Sequence, residues 1–410
     1  MTEPSASFPR LSAQTREVDA VTSLLPLLDA RRPLLFVRRG EGVAGLGEAL
    51  RIEFRGPQRI AEAADTWRRI AAQAEVDDQV GRSGSGLIAF GAFAFDEASE
   101  RISVLIVPEV VIGRRDGVTW VTRISGSTMP VTAAPLGPEY RLSMHAGEIS
   151  PDRYRAMVAD AVGRIHAGAL RKVVLARDLV GHLSDTADLR RVLIDLALGY
   201  PDTWTFAIDG TIGSSPETLI RVNHGTVSAR VLAGSIGRGG DADADHAAAL
   251  ALATSTKDQD EHRYAVQSVL AALGPHARGV AASDMPFALK LPNLWHLASD
   301  VEGTLSDGST ALDLAAALHP TAAVAGTPTE VALALIRELE GIDRGRYGGP
   351  VGWVDGDGNG KWAVALRSAE LSDDGTVRAY AGAGILGDSD PDRELAETKL
   401  KFRPIVEAFG

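Results

Sequence analysis

The chain contains no cysteine. That excludes disulfides, thiolate nucleophiles, Cys-ligated zinc and iron–sulfur clusters. Positive charge is also in deficit: 42 Lys and Arg stand against 54 Asp and Glu, for a formal net charge of −12. Such a balance argues against nucleic-acid binding as the main business of the chain. A locally positive pocket for a small anion remains compatible with it. Long hydrophobic runs are missing as well. Residues 87–95 (LIAFGAFAF) are the longest, far short of the roughly 20 that a membrane-spanning helix needs. The first residues show no basic segment followed by an apolar one, so no signal peptide is expected. The expected location is the cytoplasm, with no membrane partner. A nucleophile-elbow serine, a P-loop and a zincin motif are all absent, and with them the usual signals of three large enzyme classes.

What is present suffices for a sizeable core: 410 residues, 45% of them hydrophobic. Length alone predicts two to three domains at about 150 residues each. Residues 1–125 read as β-rich, with strands at 32–37, 49–54, 87–95 and 102–122. Residues 126–150 are rich in Pro, Gly, Ser and Thr, the best linker candidate. Residues 151–410 interleave helices with clustered strands. A helix starts after Ser150-Pro151-Asp152, a strand is expected at 172–180, one long helix over about 243–273, a hairpin of strands 351–354 and 362–371, a strand at 376–381, and a last helix after Asp390-Pro391. Strands that come in hairpins favour an α+β fold with antiparallel sheets.

Two motifs mislead. Residues 382–387 (GAGILG) match a dinucleotide-binding fingerprint, but the chain ends one helix later, without the second parallel strand. Their glycines could still cradle a carboxylate or phosphate on backbone amides. Residues 355–360 (DGDGNG) imitate a calcium loop, yet Leu366 stands where a bidentate Glu is required; a hairpin loop is the better reading.

Several side chains could carry chemistry. Glu394 and Glu397 share one helix face with Lys401, and Asp258 and Glu261 are also three apart. Two acid pairs could converge on a hard cation such as Mg²⁺, although spacing alone favours two solvated faces. Lys172 opens an apolar strand, either as a surface residue or as a buried base. Glu217 precedes a strand as a turn acid. His296 lies in an apolar run, where a core histidine is the usual explanation. Arg367 interrupts an apolar stretch and calls for a carboxylate partner.

These segments resemble the chorismate-utilising enzymes. The matching stretches are KVVLAR (172–177), GSSPETL (213–219), LAGS (232–235), KDQDEH (257–262), LWHLAS (294–299), HPTAAVAG (319–326), YGGPVGW (347–353), ALRS (365–368), AGAGI (381–385) and ELAETKLK (394–401). Ten stretches in the family's order are a specific signal, although residues 1–125 carry none. The resemblance implies a single domain with large layered antiparallel sheets, helices outside and an active site in a cleft. It implies Mg²⁺ at Glu261 and Glu397, with Asp258 and Glu394 contacting it directly or through water. Arg367, Tyr347, Gly382, Gly384 and Lys401 match residues around the substrate carboxylates. Lys172 matches a base that activates water for attack at C2 of chorismate, and Glu217 the acid that protonates the departing C4 hydroxyl. His296 would position substrate. Ala233, next to Gly234, offers no amine for attack at C2, so water is the expected nucleophile and no amidotransferase subunit is expected. Ala323 stands where salicylate-forming members usually carry Thr. Within the family the chain therefore resembles most the isochorismate synthases, which serve menaquinone or siderophore assembly. Salicylate synthase and a non-catalytic chorismate-binding relative are the alternatives.

Overall fold

The computed structural model describes residues 8–410. Two large sheets, of 13 and 10 strands, face each other. Every strand pairing among the described residues is antiparallel except that of Ser12–Val18 with Glu75–Asp78. This is the expected α+β architecture. Between the sheets Phe36, Phe90, Ile106, Trp120, Phe206 and Trp353 form a fully buried layer. Helices cover the outer faces. Leu189–Gly199 and Pro391–Phe409 pack on the larger sheet through Leu193, Leu196 and Phe402. Thr256–Leu273 and Ala311–Leu318 pack on the smaller one through Val269, Leu273 and Leu312.

The β-rich N-terminal part contributes to both sheets. Leu34–Arg38 pairs with Trp204–Ile208 in the larger sheet, and Ile88–Ala92 pairs with Pro350–Asp355 in the smaller. Residues 127–144 form neither helix nor strand. The imitated calcium loop is a hairpin turn in which the Asp355 carboxylate accepts from the amides of Asp357 and Asn359.

Three expectations need correction. The single long helix is two, Ala242–Thr254 and Thr256–Leu273. Ser255 adopts extended backbone between them, and its hydroxyl caps the second by accepting from the Asp258 amide. Such capping competes directly with helix continuation. The strand expected at 376–381 runs on to Ile385, so the glycines of the GAGILG stretch lie inside a strand. Finally, the stretch 362–371 is not one strand. Gly360–Val364 belongs to the smaller sheet and Ser368–Leu371 to the larger.

That last point shapes the molecule. The chain crosses between the sheets at Ala365–Leu366–Arg367, and also at Pro216–Glu217, which joins Thr211–Ser215 of the larger sheet to Thr218–Asn223 of the smaller. The crossings lie side by side: the Ser214 amide donates to the Arg367 carbonyl at 3.1 Å, and the Val364 amide to the Glu217 carbonyl at 3.3 Å. Arg367 turns with a left-handed φ of 48°, a conformation that costs a non-glycine residue about 1 kcal/mol or more.

A buried ion pair braces this region. Glu340, fully buried at the end of helix Thr329–Glu340, accepts from Arg344 Nε at 2.8 Å and from the Ala176 amide at 2.7 Å. Arg344 Nη2 also donates to the Val174 carbonyl at 2.7 Å. Helix and strand Lys172–His182 are thereby tied together by charge-assisted bonds. Removing one partner leaves the other charge buried and unpaired. Glu340→Ala should therefore destabilise the protein by about 3–5 kcal/mol in chemical denaturation. A loss below about 1 kcal/mol, the range of an exposed pair, would refute the bracing role.

Candidate active site

A cleft opens beside the two crossings. Thirteen of the fifteen residues singled out by sequence bear on it. Twelve line it directly: Glu217, Ala233, Gly234, Glu261, His296, Ala323, Tyr347, Arg367, Gly382, Gly384, Glu397 and Lys401. Lys172, the thirteenth, stands just behind the wall: a Cβ built on Gly384 would lie 2.9 Å from its Cε. Asp258 and Glu394 do not line the cleft. They occupy the helices that carry Glu261 and Glu397, one turn back on each.

The floor is the strand pair Lys172–His182 and Thr376–Ile385. The amides of Val174 and Ala176 turn away from the partner strand, to the Ala325 carbonyl and the Glu340 carboxylate. Their opposite residues, Gly384 and Gly382, are therefore non-hydrogen-bonded sites of the ladder, with polar groups turned to the far side. Strand Ser368–Leu371 does not reach that far, pairing only with residues up to Ala379. The Gly382 carbonyl confirms the direction by accepting from Lys401 Nζ at 2.9 Å. The two amides thus turn to the cleft side, that of Gly382 towards the Tyr347 hydroxyl, from a strand rather than a loop ahead of a helix. A Cβ on Gly384 would lie 2.3 Å from Glu261 Oε1, so a larger residue there would push the Glu261 carboxylate aside.

One wall is a bulge. Register between Thr226–Gly237 and Leu294–Leu305 shifts at Leu232/Ser235, with Gly234 at φ 81°. Two buried histidines hold the carbonyls it frees: His262 Nδ1 meets Ala233 O, and His296 Nδ1 meets Gly234 O, each at 3.2 Å. His296 Nε2 lies 3.1 Å from Arg367 Nη2. Arginine can only donate, so Nε2 is the acceptor and Nδ1 carries the proton. Burial and the Arg367 charge hold this imidazole neutral, far below its ordinary pKa. His296 is therefore a satisfied histidine whose tautomer aims the guanidinium. Tyr347 stacks on Tyr380 at 5.3 Å and completes that side.

Charges are crowded here. Lys172 is fully buried, 3.0 Å from Glu261 Oε1, yet the angles make no hydrogen bond and Nζ has no other partner among the described residues. Glu397 meets Lys401 Nζ at 2.5 Å and accepts from Ser235 Oγ at 2.8 Å. Burial pushes the Glu397 carboxyl up, but Lys401 and Ser235 outweigh it and the net shift is down. Glu394 accepts from Lys257 at 3.1 Å. Burial raises its carboxyl, and the neighbouring Glu397 charge adds to that. Asp258 is raised by burial and then by the charges of Glu261 and Glu397. Glu217 stands apart. Burial pushes its carboxyl up to about 8, against the pull of Lys172, Arg367 and Lys401.

Among the described residues no three carboxylates or imidazoles are grouped tightly enough to chelate a metal on their own. The donor chemistry nonetheless fits Mg²⁺. Two hard oxygen donors face the cleft from different helices, with two more acids behind them whose mutual repulsion a divalent cation would relieve. Magnesium commonly takes only one or two carboxylates, completed by water and substrate oxygens.

Sequence reasoning missed Ser235 and Arg344. Ser235 sits in the LAGS stretch but looked like filler, and Arg344 has no motif around it. Leu232, Val324 and Leu366 supply the apolar lining.

Residues 131–410 match the family model described as chorismate binding enzyme. The chain is a chorismate-binding enzyme. It is 33% identical to the salicylate biosynthesis isochorismate synthase of Pseudomonas aeruginosa, over 93% of this chain and 86% of that protein. It is 40% identical to isochorismate synthase DhbC of Bacillus subtilis, over 63% of this chain and 68% of the relative. Crystalline DhbC from Bacillus anthracis superposes with a TM-score of 0.78 at 32% identity, covering 94% of this chain and 98% of that one. MenF from Escherichia coli shares the fold, with a TM-score of 0.80 at 22% identity, over 98% and 95%. This chorismate-binding enzyme thus has its sheets, cleft and helices in a known arrangement.

The Glu217 shift makes a stability prediction. Between the ordinary carboxylate value of 4.5 and about 8 the folded state holds a proton that the unfolded state has lost, so stability falls as pH rises through that window. Glu217→Gln removes this dependence. The variant should gain on the parent from pH 5 to pH 8, levelling off at on the order of a few kcal/mol in urea titrations. Parallel stability curves for the two proteins would contradict the buried, protonated acid.

Proposed function

We propose that this enzyme is an isochorismate synthase, an isomerase that adds water at C2 of chorismate and expels the C4 hydroxyl. The observation that carries the reading is Glu217: a buried carboxyl with its pKa pushed up to about 8 enters neutral solution with a proton to give. Matching a catalytic pKa to the working pH is what general acids require. The named relatives support the same activity.

The reaction balances as one water in and one water out. A new C–O bond forms at C2, both double bonds of the ring shift one position towards C4, and the C–O bond at C4 breaks. Lys172, when neutral, takes the proton of the attacking water, and its ammonium is then close enough to bear on the Glu217 environment. Glu217 donates to the departing hydroxyl. Arg367, aimed by His296, and the amides of Gly382 and Gly384 bind the substrate's carboxylates, and Tyr347 shapes the same wall. Fixing the ring between these groups replaces a bimolecular encounter by a positioned one. Glu261 and Glu397 would hold Mg²⁺, with Asp258 and Glu394 in support through water. The ion would neutralise charge on the ring carboxylate. Ala233 presents no side-chain amine to C2, so water is the nucleophile, and no amidotransferase partner is required. The enzyme works on a small molecule in the cytoplasm.

The test is product analysis by chromatography and mass after mixing protein, chorismate and Mg²⁺, with an EDTA control. The expected product has unchanged mass, elutes as isochorismate and disappears with EDTA. Lys172→Ala should lower kcat by about 10²-fold or more while chorismate still protects the protein thermally. Salicylate plus pyruvate would instead assign the salicylate-forming reaction, and no turnover would assign a binding protein.

A further inference from the structure

A second cluster of cations lies outside the cleft, at one end of the layer between the sheets. Arg38 and Arg115, from the larger sheet, follow the inward-facing positions of Phe36 and Val111 on their strands. Arg221 and Lys361, on adjacent strands of the smaller sheet, are direct cross-strand partners. Like charges placed opposite in a sheet destabilise it. Lys361 is buried along most of its length, only 8% of the residue being exposed.

None of the four has an acidic partner or a side-chain hydrogen bond among the described residues. Neighbouring arginines do: Arg39 pairs with Asp202 and Arg230 with Asp300. The acids at the rim are engaged elsewhere. Glu41 accepts from the Asp116 amide, and Asp116 faces Arg82 at 3.9 Å. Instead, Arg38 and Lys361 flank one indole, each 5.3 Å from the centre of the Trp204 ring. That ring is fixed by stacking on Phe36 at 4.9 Å and by its Nε1 donating to Thr218 Oγ1 at 2.8 Å. Burial and the three arginines push the Lys361 ammonium down to about 6. In a chain with net charge −12, three arginines without acidic partners gathered around a lysine whose proton they weaken leave positive potential unanswered at this end of the layer.

We propose that Arg38, Arg115, Arg221 and Lys361 form a binding site for a small multivalent oxyanion, a phosphate- or polycarboxylate-bearing metabolite, separate from the chorismate cleft. Guanidinium forks suit both oxyanion types bidentately, and a point-charge ammonium beneath them suits a third oxygen. The indole excludes water from one side, which strengthens each contact.

The experiment is thermal unfolding of the whole chain, titrated with pyrophosphate and separately with citrate, against sodium chloride at matched ionic strength. The parent should show a saturable rise in Tm of about 2 °C or more beyond the chloride curve; the stronger of the two responses identifies the oxyanion type. Arg221→Gln, an exposed change that leaves the core intact, should abolish most of that rise while leaving the thermal shift with chorismate unchanged. Lys361→Met should weaken it too, because the anion then loses the amine that it would hold protonated. A rise no larger than chloride gives would overturn the site. So would a rise that survives Arg221→Gln, since the anion would then sit in the chorismate cleft or elsewhere.

Discussion

Much of the catalytic geometry depends on two short crossings between sheets. A sandwich of two sheets normally keeps its inner faces apolar and its chain reversals at the edges. Among the places where the chain passes from one sheet to the other, Pro216–Glu217 and Ala365–Arg367 lie side by side, hydrogen-bonded to each other's strands. Each crossing interrupts the apolar layer and leaves room for a polar side chain where neither sheet could bury one. Glu217 and Arg367 occupy those places, and the left-handed turn at Arg367 is the local strain that aims the guanidinium inward.

Electrostatics follow from that enclosure. Lys172, Arg367 and Lys401 bring positive charge into a protein whose total is −12, and Glu261 and Glu397 face them. Low local dielectric sharpens every one of these interactions. The outcome differs by residue. Glu397, with Lys401 and Ser235 in contact, stays ionised below its ordinary range, while Glu217, with cations near but no hydrogen-bond donor on its carboxyl, keeps its proton. Two carboxylates in one cleft acquire different roles because one has direct partners and the other has only burial.

The inter-sheet layer ends in a second way at the Trp204 side. The cations there meet an aromatic face rather than acids. Both polar places in this fold arise where the apolar layer stops, one at the crossings and one at the strand ends. Four of the chain's six lysines, Lys172, Lys257, Lys361 and Lys401, lie in or beside these two places. Arginine serves most other positive positions, so a compact single-point charge is concentrated where a site needs one.

Ordered motifs in residues 151–410 were legible as strings: the α+β class, the helix start at Ser150, the acid pairs and the run of matching stretches followed from residue types, spacing and resemblance. Hydrophobic pattern and capping chemistry are local, so they survive in a one-dimensional reading. The break at Ser255 was not read, because capping and continuing a helix are both open to a serine until its neighbours pack. Nor was the division of 362–371 between two sheets, since an apolar run looks the same whichever sheet accepts each half. His296 shows the limit most sharply. Sequence offered a core histidine or one that positions substrate; the fold places it buried in the cleft wall with Nε2 facing Arg367. The amino-acid sequence by itself determined the classes of chemistry available, an acid, an amine, oxygen donors and no thiol. Only the tertiary structure decided which carboxyl keeps a proton, which amides face the cleft and which cations stand unpaired, because those depend on burial and on partners brought together from distant parts of the chain.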